Sequence, residues 1–376
     1  MRDLFEIRDE IDAVDAQLVE LYEKRMGLAE QVAEYKISSG KKVFDKEREK
    51  IKLENVAGLV DDPFLKNGVL ELFEQIMSMS RKRQYQLLTE HGILAKTDFL
   101  EVQELPQKNV KIVFQGEEGA NSQIAMNAYF GENIESAHVE TWRDAMEAIS
   151  NGTADYAVLP IENSSAGIVS ENYDLLVEYD HVIVGEQIIK IDHCLLGLPE
   201  AELSDIKSVY SHPQALMQCN RYLEEHREWD KHSVKNTAVA AKKVKEEGDI
   251  SQAAIASKPN ADIYGLKILK EEFQNNVTNS TRFVIVSGKK LFVTDARKIS
   301  ICFEIPHESG SLYHMLSHII YNNLNMNKIE SRPIQGKTWE YRFFIDFEGN
   351  LNDSAVQNCL RGIEEETVRL RVLGNY

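Results

Sequence analysis

Between Leu4 and Tyr35 the apolar positions Leu4, Ile7, Ile11, Val14, Leu18, Leu21, Leu28, Val32 and Tyr35 step by three, four or seven. That is a heptad-like helical stripe. Nothing breaks it before Ser38-Ser39-Gly40, so the spacing predicts one helix of ~35 residues, roughly 50 Å long at 1.5 Å per residue. A helix of that length cannot bury its own stripe, which points to a bundle built between subunits. A second helix is predicted to begin at Asp45, a good N-cap. A third follows Pro63 and carries Val69, Leu72, Phe73, Ile76 and Leu87 on one face. Residues 91–108 lack periodicity, contain Pro106 and read as a linker.

From Asn109 the pattern changes to short apolar runs: KIVFQG, YAVLP, HVIVGEQIIKI, HCLLGL, SVYSH, AAIAS and RFVIVSG. Helical stretches near 121–131, 142–151, 167–179, 213–226 and 237–247 separate them. This alternation predicts an α/β domain over 109–288 with largely parallel strand pairing. Residues 298–376 read as strand KISICFEI, helix SLYHMLSHIIYNN, strands NKIESRPI and WEYRFFIDF, a helix from Asp353 to about Glu366, and strand VRLRVLG. That order, βαββαβ, is a ferredoxin-like α+β plan. The chain is therefore read as multidomain: all-α over 1–90, α/β over 109–288 and α+β over 298–376.

Composition narrows the function. The 376 residues are 43% hydrophobic and 28% charged, an ordinary globular mix. Forty-three basic against 61 acidic residues give a net charge of −18, which disfavours nucleic acid or anionic membrane as a partner. Cys194, Cys219, Cys302 and Cys359 form no CxxC pair and read as free thiols of a reducing cytoplasm. No apolar run reaches the ~18 residues of a membrane span, and the acidic start MRDLFEIRDEID is unlike a signal peptide. The expected location is cytoplasmic. The histidines show no metal-binding spacing.

The helical part breaks its own pattern. Arg25 occupies the seam position between Leu21 and Leu28, and Lys36 lies one turn beyond Val32. On the third helix, stepping from Ile76 gives Ser80 and then Gln84. Charges facing a core are costly unless paired. Two cations and two neutral hydrogen-bonders in line with apolar stripes suggest a pocket for a small, multiply charged anion. The alternative is that Arg25 pairs internally or fixes bundle register. Asp45, Arg48 and Glu49 share a face one turn apart, as pocket residues or as a solvated ion pair.

These segments resemble the all-helical, AroQ-type class of chorismate mutase, through IRDEIDAVDAQLVELYEKR, AEYK, VFDKERE and SRKRQ. The resemblance implies that Arg8, Arg25, Lys36, Asp45, Arg48, Glu49, Ser80 and Gln84 line the site, with Arg8 reaching into a partner's pocket. It implies that the arginines bind the carboxylates of chorismate, that Lys36 and Gln84 donate to the breaking ether oxygen, and that Glu49 and Asp45 hold the substrate hydroxyl.

In the central part, Gly116-x-x-Gly119-x-x-Ser122 follows a strand and opens a helix, a turn or an anion loop. It lacks the full dinucleotide fingerprint. PIENSSAG (160–167) directly follows the strand YAVL, SHPQ (211–214) follows SVY, and NSTRF (279–283) leads into VIVS. Together they resemble prephenate dehydratase. The resemblance implies two subdomains of the type II periplasmic-binding-protein kind with the site in their cleft. Thr281 is then the residue acting on the departing hydroxyl. Glu162, Asn163, Ser164, His212 and Gln214 are cleft candidates, and Arg282 is either a carboxylate anchor or a structural clamp. No cofactor or metal is implied.

The C-terminal part resembles an ACT domain of the phenylalanine-sensing branch. Glu330-Ser331-Arg332-Pro333 matches its ESRP motif. Gly310-Ser311-Leu312-Tyr313 stands at its G-A-L-hydrophobic motif, with Ser for Ala and Tyr at the last position. Gly310, Leu312, Glu330, Ser331, Arg332 and Pro333 are thereby candidate phenylalanine contacts; the alternative is a purely structural dimerisation domain. The three likenesses fall in the order of the bifunctional chorismate mutase/prephenate dehydratase family. They imply conversion of chorismate to prephenate and on to phenylpyruvate, feedback inhibition by phenylalanine, and a homodimer or higher homo-oligomer. Two rival readings are a dehydratase that prefers arogenate and a non-catalytic regulator that binds prephenate or an amino acid.

Overall fold

Three helices account for the N-terminal periodicity in the computed structural model, which describes residues 2–95 and 97–376. Helix α1 (Leu4–Ser39) is capped by the Asp3 carboxylate, which accepts from the Phe5 N–H, and is closed by Gly40 at φ 67°, a left-handed position that glycine fills without a Cβ penalty. Helix α2 (Lys46–Ala57) starts where the Asp45 side chain accepts from the Arg48 N–H. Helix α3 (Pro63–Glu90) starts on Asp62, whose side chain accepts from Phe64 and Leu65, with Pro63 at its first position. The stripe of α1 is largely unburied within the chain: Leu4, Ile7, Ile11, Val14, Leu18 and Leu21 are all exposed. Only Ala29 and Ala33 of that helix are buried.

The chain divides into two units. The first runs to Asp98 and is completed by Arg297–Val372; the second is Phe99–Ala296 with Leu373–Tyr376. In the first unit the C-terminal part has the expected βαββαβ order. Its strands lie in the order Met326–Pro333, Tyr341–Glu348, Lys298–Glu304, Arg369–Asn375, with helices Ser311–Tyr321 and Ser354–Glu366. Helix α3 packs on those two helices through polar groups. Arg81 Nε donates to Glu366 at 2.9 Å, the Tyr85 hydroxyl to Glu365 at 3.0 Å, and Lys82 Nζ to Ser317 Oγ at 2.9 Å. Burial pulls the Glu366 carboxyl up, but the hydrogen bond from His318 and the charge of Arg81 outweigh it and hold the group down at about 2. It stays ionised.

Two larger groups of strands build the second unit. In one, the order is Val182–Lys190, Ser280–Ser287, Tyr156–Asn163, Lys111–Gln115, Glu135–Val139, with the short strand Gly167–Ile168 also paired to Tyr156–Asn163. The other has the order Lys267–Lys270, Cys194–Gly197, Gln252–Ala256, Ser208–Ser211, Asp230–Ser233. Period-two alternation sorts the second sheet's side chains: Cys194, Leu196, Ala254 and Ala256 enter one core, while Leu195, Ala253 and Ile255 enter the other.

The pairing departs from the largely parallel expectation. Ser280–Ser287 runs antiparallel to both of its neighbours, and Cys194–Gly197 is antiparallel to Gln252–Ala256 and Lys267–Lys270. The long strands that enter and leave the second sheet's subdomain must run in opposite senses, which the apolar pattern does not encode. The expected linker also contains a strand, Leu100–Val102, parallel to Leu291–Val293. The 213–226 helix is two short helices, Pro213–Gln218 and Asn220–Glu225. All four cysteines are free and buried. No helix among the described residues is long and apolar enough to cross a membrane.

Gly362 sits where helix Ser354–Glu366 crosses the His318 ring; a Cβ there would lie 2.4 Å from ring atoms. Alanine gains about 1 kcal/mol in helix propensity, whereas overpacking costs about 1–3 kcal/mol. Gly362→Ala is therefore expected to lower the melting temperature by a few degrees in calorimetry. An increase would mean the His318 ring yields freely.

Candidate active sites

The first cavity, about 290 Å³, lies among the three helices. Helix α1 supplies Arg25 and Lys36; the start of α2 supplies Asp45, Arg48 and Glu49; α3 supplies Ser80 and Gln84. Seven of the eight sequence-selected residues thus meet in one hollow. Arg8 does not. Seventeen residues separate it from Arg25 on one continuous helix, about 25 Å.

Each polar group has a defined setting. Arg25 Nη1 donates to Ser80 Oγ at 2.5 Å, and Ser80 in turn donates to the Ile76 carbonyl at 2.8 Å. Lys36 Nζ donates to the Val43 carbonyl at 2.6 Å, leaving two of its three N–H donors. Gln84 Nε2 donates to the Ser80 carbonyl at 3.2 Å, while its buried Oε1 has no partner among the described residues. Burial lowers the basicity of both Arg25 and Lys36, opposed for Lys36 by Asp45, Glu365 and Glu49. Arg81 also lines the cavity, and the sequence reading passed over it. Its Nη1 donates to both oxygens of Glu49, at 2.6 and 2.5 Å. A polar residue one position beyond Ser80 was the available signal.

The second cavity, about 270 Å³, lies in the second unit. Thr281, Asn163, His212 and Gln214 line it, joined by Ser122 and Gly116 of the glycine loop. Asn163 organises the wall. Its Oδ1 accepts from the Ser165 and Ala166 N–H groups at 3.0 and 2.9 Å, which fixes the amide orientation. Its Nδ2 then donates to Thr281 Oγ1 at 2.8 Å. Thr281 accepts there, so its own O–H remains a donor. His212 Nδ1 accepts from the Gln214 N–H at 3.3 Å, and burial lowers the pKa of His212.

The glycine loop has a steric cause. Gly119 has φ 86°, and a Cβ there would lie 2.3 Å from Asn260 Oδ1. The Asn260 amide donates to the Gly119 carbonyl at 3.0 Å, which leaves no room for a side chain.

Three expected cleft residues are absent from the lining. Arg282, between Thr281 and Phe283 on the strand, lies off the cavity; its Nε donates to Glu186 at 2.7 Å and its Nη2 to the Tyr376 hydroxyl at 2.7 Å. Ser164 Oγ accepts from the Ser280 N–H at 2.9 Å, tying two strands. Glu162 pairs with Arg282 and Ile168 through the backbone. Residues not selected from sequence also line the cavity: Asn121, Trp142, His193, Gln218, Asn236 and Thr237. Several open helices, and the lining carries no lysine, arginine or carboxylate.

In the C-terminal part, Gly310 and Leu312 line a hollow of about 210 Å³ with Tyr341 and Phe343. Glu330, Ser331, Arg332 and Pro333 are not in its lining. They lie on the neighbouring strand, where Ser331 faces Phe343 and Pro333 faces Tyr341 in register.

A helical pocket of arginines, lysines and two carboxylates, together with an α/β cavity built on a threonine–asparagine pair, defines a two-site enzyme of small anionic substrates. Residues 7–85 match the model of the chorismate mutase type II family, and residues 112–291 that of prephenate dehydratase. The chain is similar to a bifunctional chorismate mutase/prephenate dehydratase of Enterobacter agglomerans, 34% identical over 99% of this chain and 95% of that one. Among solved structures it is similar to a prephenate dehydratase of Arthrobacter aurescens in complex with L-Phe, at 31% identity and TM-score 0.66, covering 71% of this chain and 89% of that one. It is likewise similar to GqqA, described as a quorum quenching acylase, at 30% identity and TM-score 0.65, covering 71% and 97%. The chain belongs to the bifunctional chorismate mutase/prephenate dehydratase family. It carries both activities, in phenylalanine biosynthesis.

Proposed function

We propose that the helical cavity is the chorismate mutase site and the cavity at Thr281 the prephenate dehydratase site, with the residue roles that follow. The rearrangement of chorismate breaks a C–O bond as a C–C bond forms, in one pericyclic step. No nucleophile or base is required. The protein holds the reactive conformer and stabilises charge on the ether oxygen. Arg25 and Arg48 bind the two carboxylates, Arg25 braced by Ser80. Lys36 directs a remaining N–H at the ether oxygen; a half-turn of the Gln84 amide offers its Nε2 to the same atom. Glu49 and Asp45 accept from the substrate hydroxyl. The convergence of seven selected residues on one cavity carries this reading.

In the dehydratase step the bond to the ring carboxylate breaks, its electron pair enters the ring, and the hydroxyl leaves as water. The free O–H of Thr281 hydrogen-bonds or protonates that hydroxyl. With no cationic side chain in the lining, the anionic substrate is held by N–H groups: the helices Asn121–Phe130 and Thr237–Glu247 both begin at the cavity, and helix N-termini attract anions. Arg25→Ala is expected to lower mutase activity by ~10²-fold or more and Thr281→Ala dehydratase activity by ~10²–10³-fold, each leaving the other activity in place. Loss of both from either change would contradict separate sites.

The exposed stripe of α1 supports a homodimer in which a partner copy covers it and brings its Arg8 to the pocket. Arg8→Ala and Arg25→Ala chains, each weak alone, are then expected to regain mutase activity when co-assembled, because one pocket of the hybrid is intact. No recovery in a verified hybrid would contradict this.

The C-terminal part is read as an ACT domain that binds phenylalanine beside Gly310 and Leu312, the edge strand Glu330–Pro333 closing the site in a paired copy. The Arthrobacter aurescens structure in complex with L-Phe supports that reading. Saturating phenylalanine is expected to lower dehydratase activity, consistent with coupling between sites; unchanged turnover would remove the sensor role.

A further inference from the structure

Arg81 belongs to neither set of residues selected above, yet it is buried and bonded to two carboxylates. Its side chain is 8% exposed. One end of the guanidinium is bound to both oxygens of Glu49, and Nε is bound to Glu366 at 2.9 Å. The ring of Phe44 lies 5.0 Å from the guanidinium carbon, a cation–π distance. Glu366 is itself fixed from the other side, since His318 Nε2 lies 3.1 Å from its Oε1. A continuous chain, Glu49–Arg81–Glu366–His318, therefore runs from the mutase cavity into the C-terminal βαββαβ part.

The geometry suits a support role. Glu49 lines the helical cavity and also a neighbouring hollow of about 490 Å³ bounded by Arg81, Glu366, Ile305 and Met315. Without Arg81 its carboxylate would have two open volumes to enter. The planar guanidinium holds two carboxylates at once from different nitrogens, Nη1 on Glu49 and Nε on Glu366, and so fixes the direction from which Glu49 is held, which a flexible point charge does not. Arg25 and Lys36 from α1 and Arg81 from α3 each feel the charge of Glu49. Of these, Arg81 alone is bonded to it in the ground state.

We propose that Arg81 is a positioning residue of the mutase site: it holds the Glu49 carboxylate in place and, through Glu366, makes mutase turnover depend on the seating of the C-terminal part. This inference rests on the reading of Glu49 as the acceptor of the substrate hydroxyl. Arg81 does not touch substrate; it acts through Glu49. A shift of helix Ser354–Glu366 reaches the mutase cavity through two charged contacts.

The experiment uses the purified full chain with Arg81→Met, Arg81→Lys, Glu366→Gln and Glu49→Gln, measuring mutase kcat and KM. Dehydratase activity on prephenate and the melting temperature report integrity. Arg81→Met is expected to lower mutase kcat/KM by ~10–100-fold, the scale of a displaced catalytic group. The loss is expected to fall on kcat more than on KM, because Arg25 and Arg48, which bind the substrate carboxylates, are untouched. Arg81→Lys keeps the charge but cannot span Glu49 and Glu366 together, so it recovers the rate only in part. Glu366→Gln, which leaves Arg81 charged, is expected to reduce mutase rate severalfold with dehydratase unaffected. A merely structural arginine would change the melting temperature and leave mutase kcat in place. If Arg81→Met does not fold, Glu366→Gln decides: wild-type mutase kinetics in that variant overturn the proposal. Wild-type mutase kcat and KM in Arg81→Met, beside an inactive Glu49→Gln, overturn it directly. An active Glu49→Gln instead refutes the reading of Glu49 itself.

Discussion

Between Met77 and Tyr85, helix α3 is buried on more than one face, and most of what it buries is polar. Ser78, Ser80, Arg81, Lys82 and Gln84 are all withdrawn from solvent. Buried polar groups must be matched or they cost several kcal/mol, and the rest of the first unit is arranged to match them. Ser80 and Gln84 turn to α1 and the helical cavity. Arg81, Lys82 and Tyr85 are answered by Glu49, Glu366, Ser317 and Glu365. One stretch of helix thus forms a wall of the helical cavity and the docking face for the C-terminal helices, which is why 1–98 and 297–372 form one unit although some 200 residues of sequence separate them.

The two cavities solve a similar problem by opposite means. As the proposed mutase and dehydratase sites, each must hold a small anion. The helical site has no strand ends or loops to offer, so it uses side-chain cations and tempers them with Asp45 and Glu49. The α/β site carries no charged side chain in its lining and relies on helix N-termini and neutral donors around Asn163 and Thr281. Charge-bearing side chains suit a rearrangement that only needs a conformer held and an ether oxygen stabilised. A neutral, hydrogen-bonded wall suits a step in which a carboxylate must leave as CO2, since a strong cation bound to that carboxylate would oppose its loss.

Much of this was legible in the residues. Arg25 and Lys36 announce themselves because they interrupt an apolar stripe, and the cap Asp45 and the first-turn Pro63 mark helix starts found within a residue. Edge strands were not legible. Glu135–Val139 and Asp230–Ser233 are almost wholly exposed and carry no apolar run. Antiparallel pairing of Ser280–Ser287 escaped notice for a different reason: a strand buried on both faces reads the same whichever way its neighbours run. For Arg282 the sequence left anchor and clamp open, because adjacency to Thr281 does not say which face it takes; adjacent strand residues point to opposite faces. Asn236 and Thr237 went unselected because a helix start contributes through its backbone, which composition does not display. Arg81 was hidden by its neighbours in SRKRQ, where three consecutive cations read as a solvated run.

The central claim is that one polypeptide carries two catalytic sites acting in sequence. Its most direct test supplies the purified chain with chorismate alone and follows chorismate, prephenate and phenylpyruvate with time. The account predicts that chorismate disappears, prephenate rises and falls, and phenylpyruvate accumulates with no other enzyme added. Chorismate loss that stops at a stable pool of prephenate would contradict it.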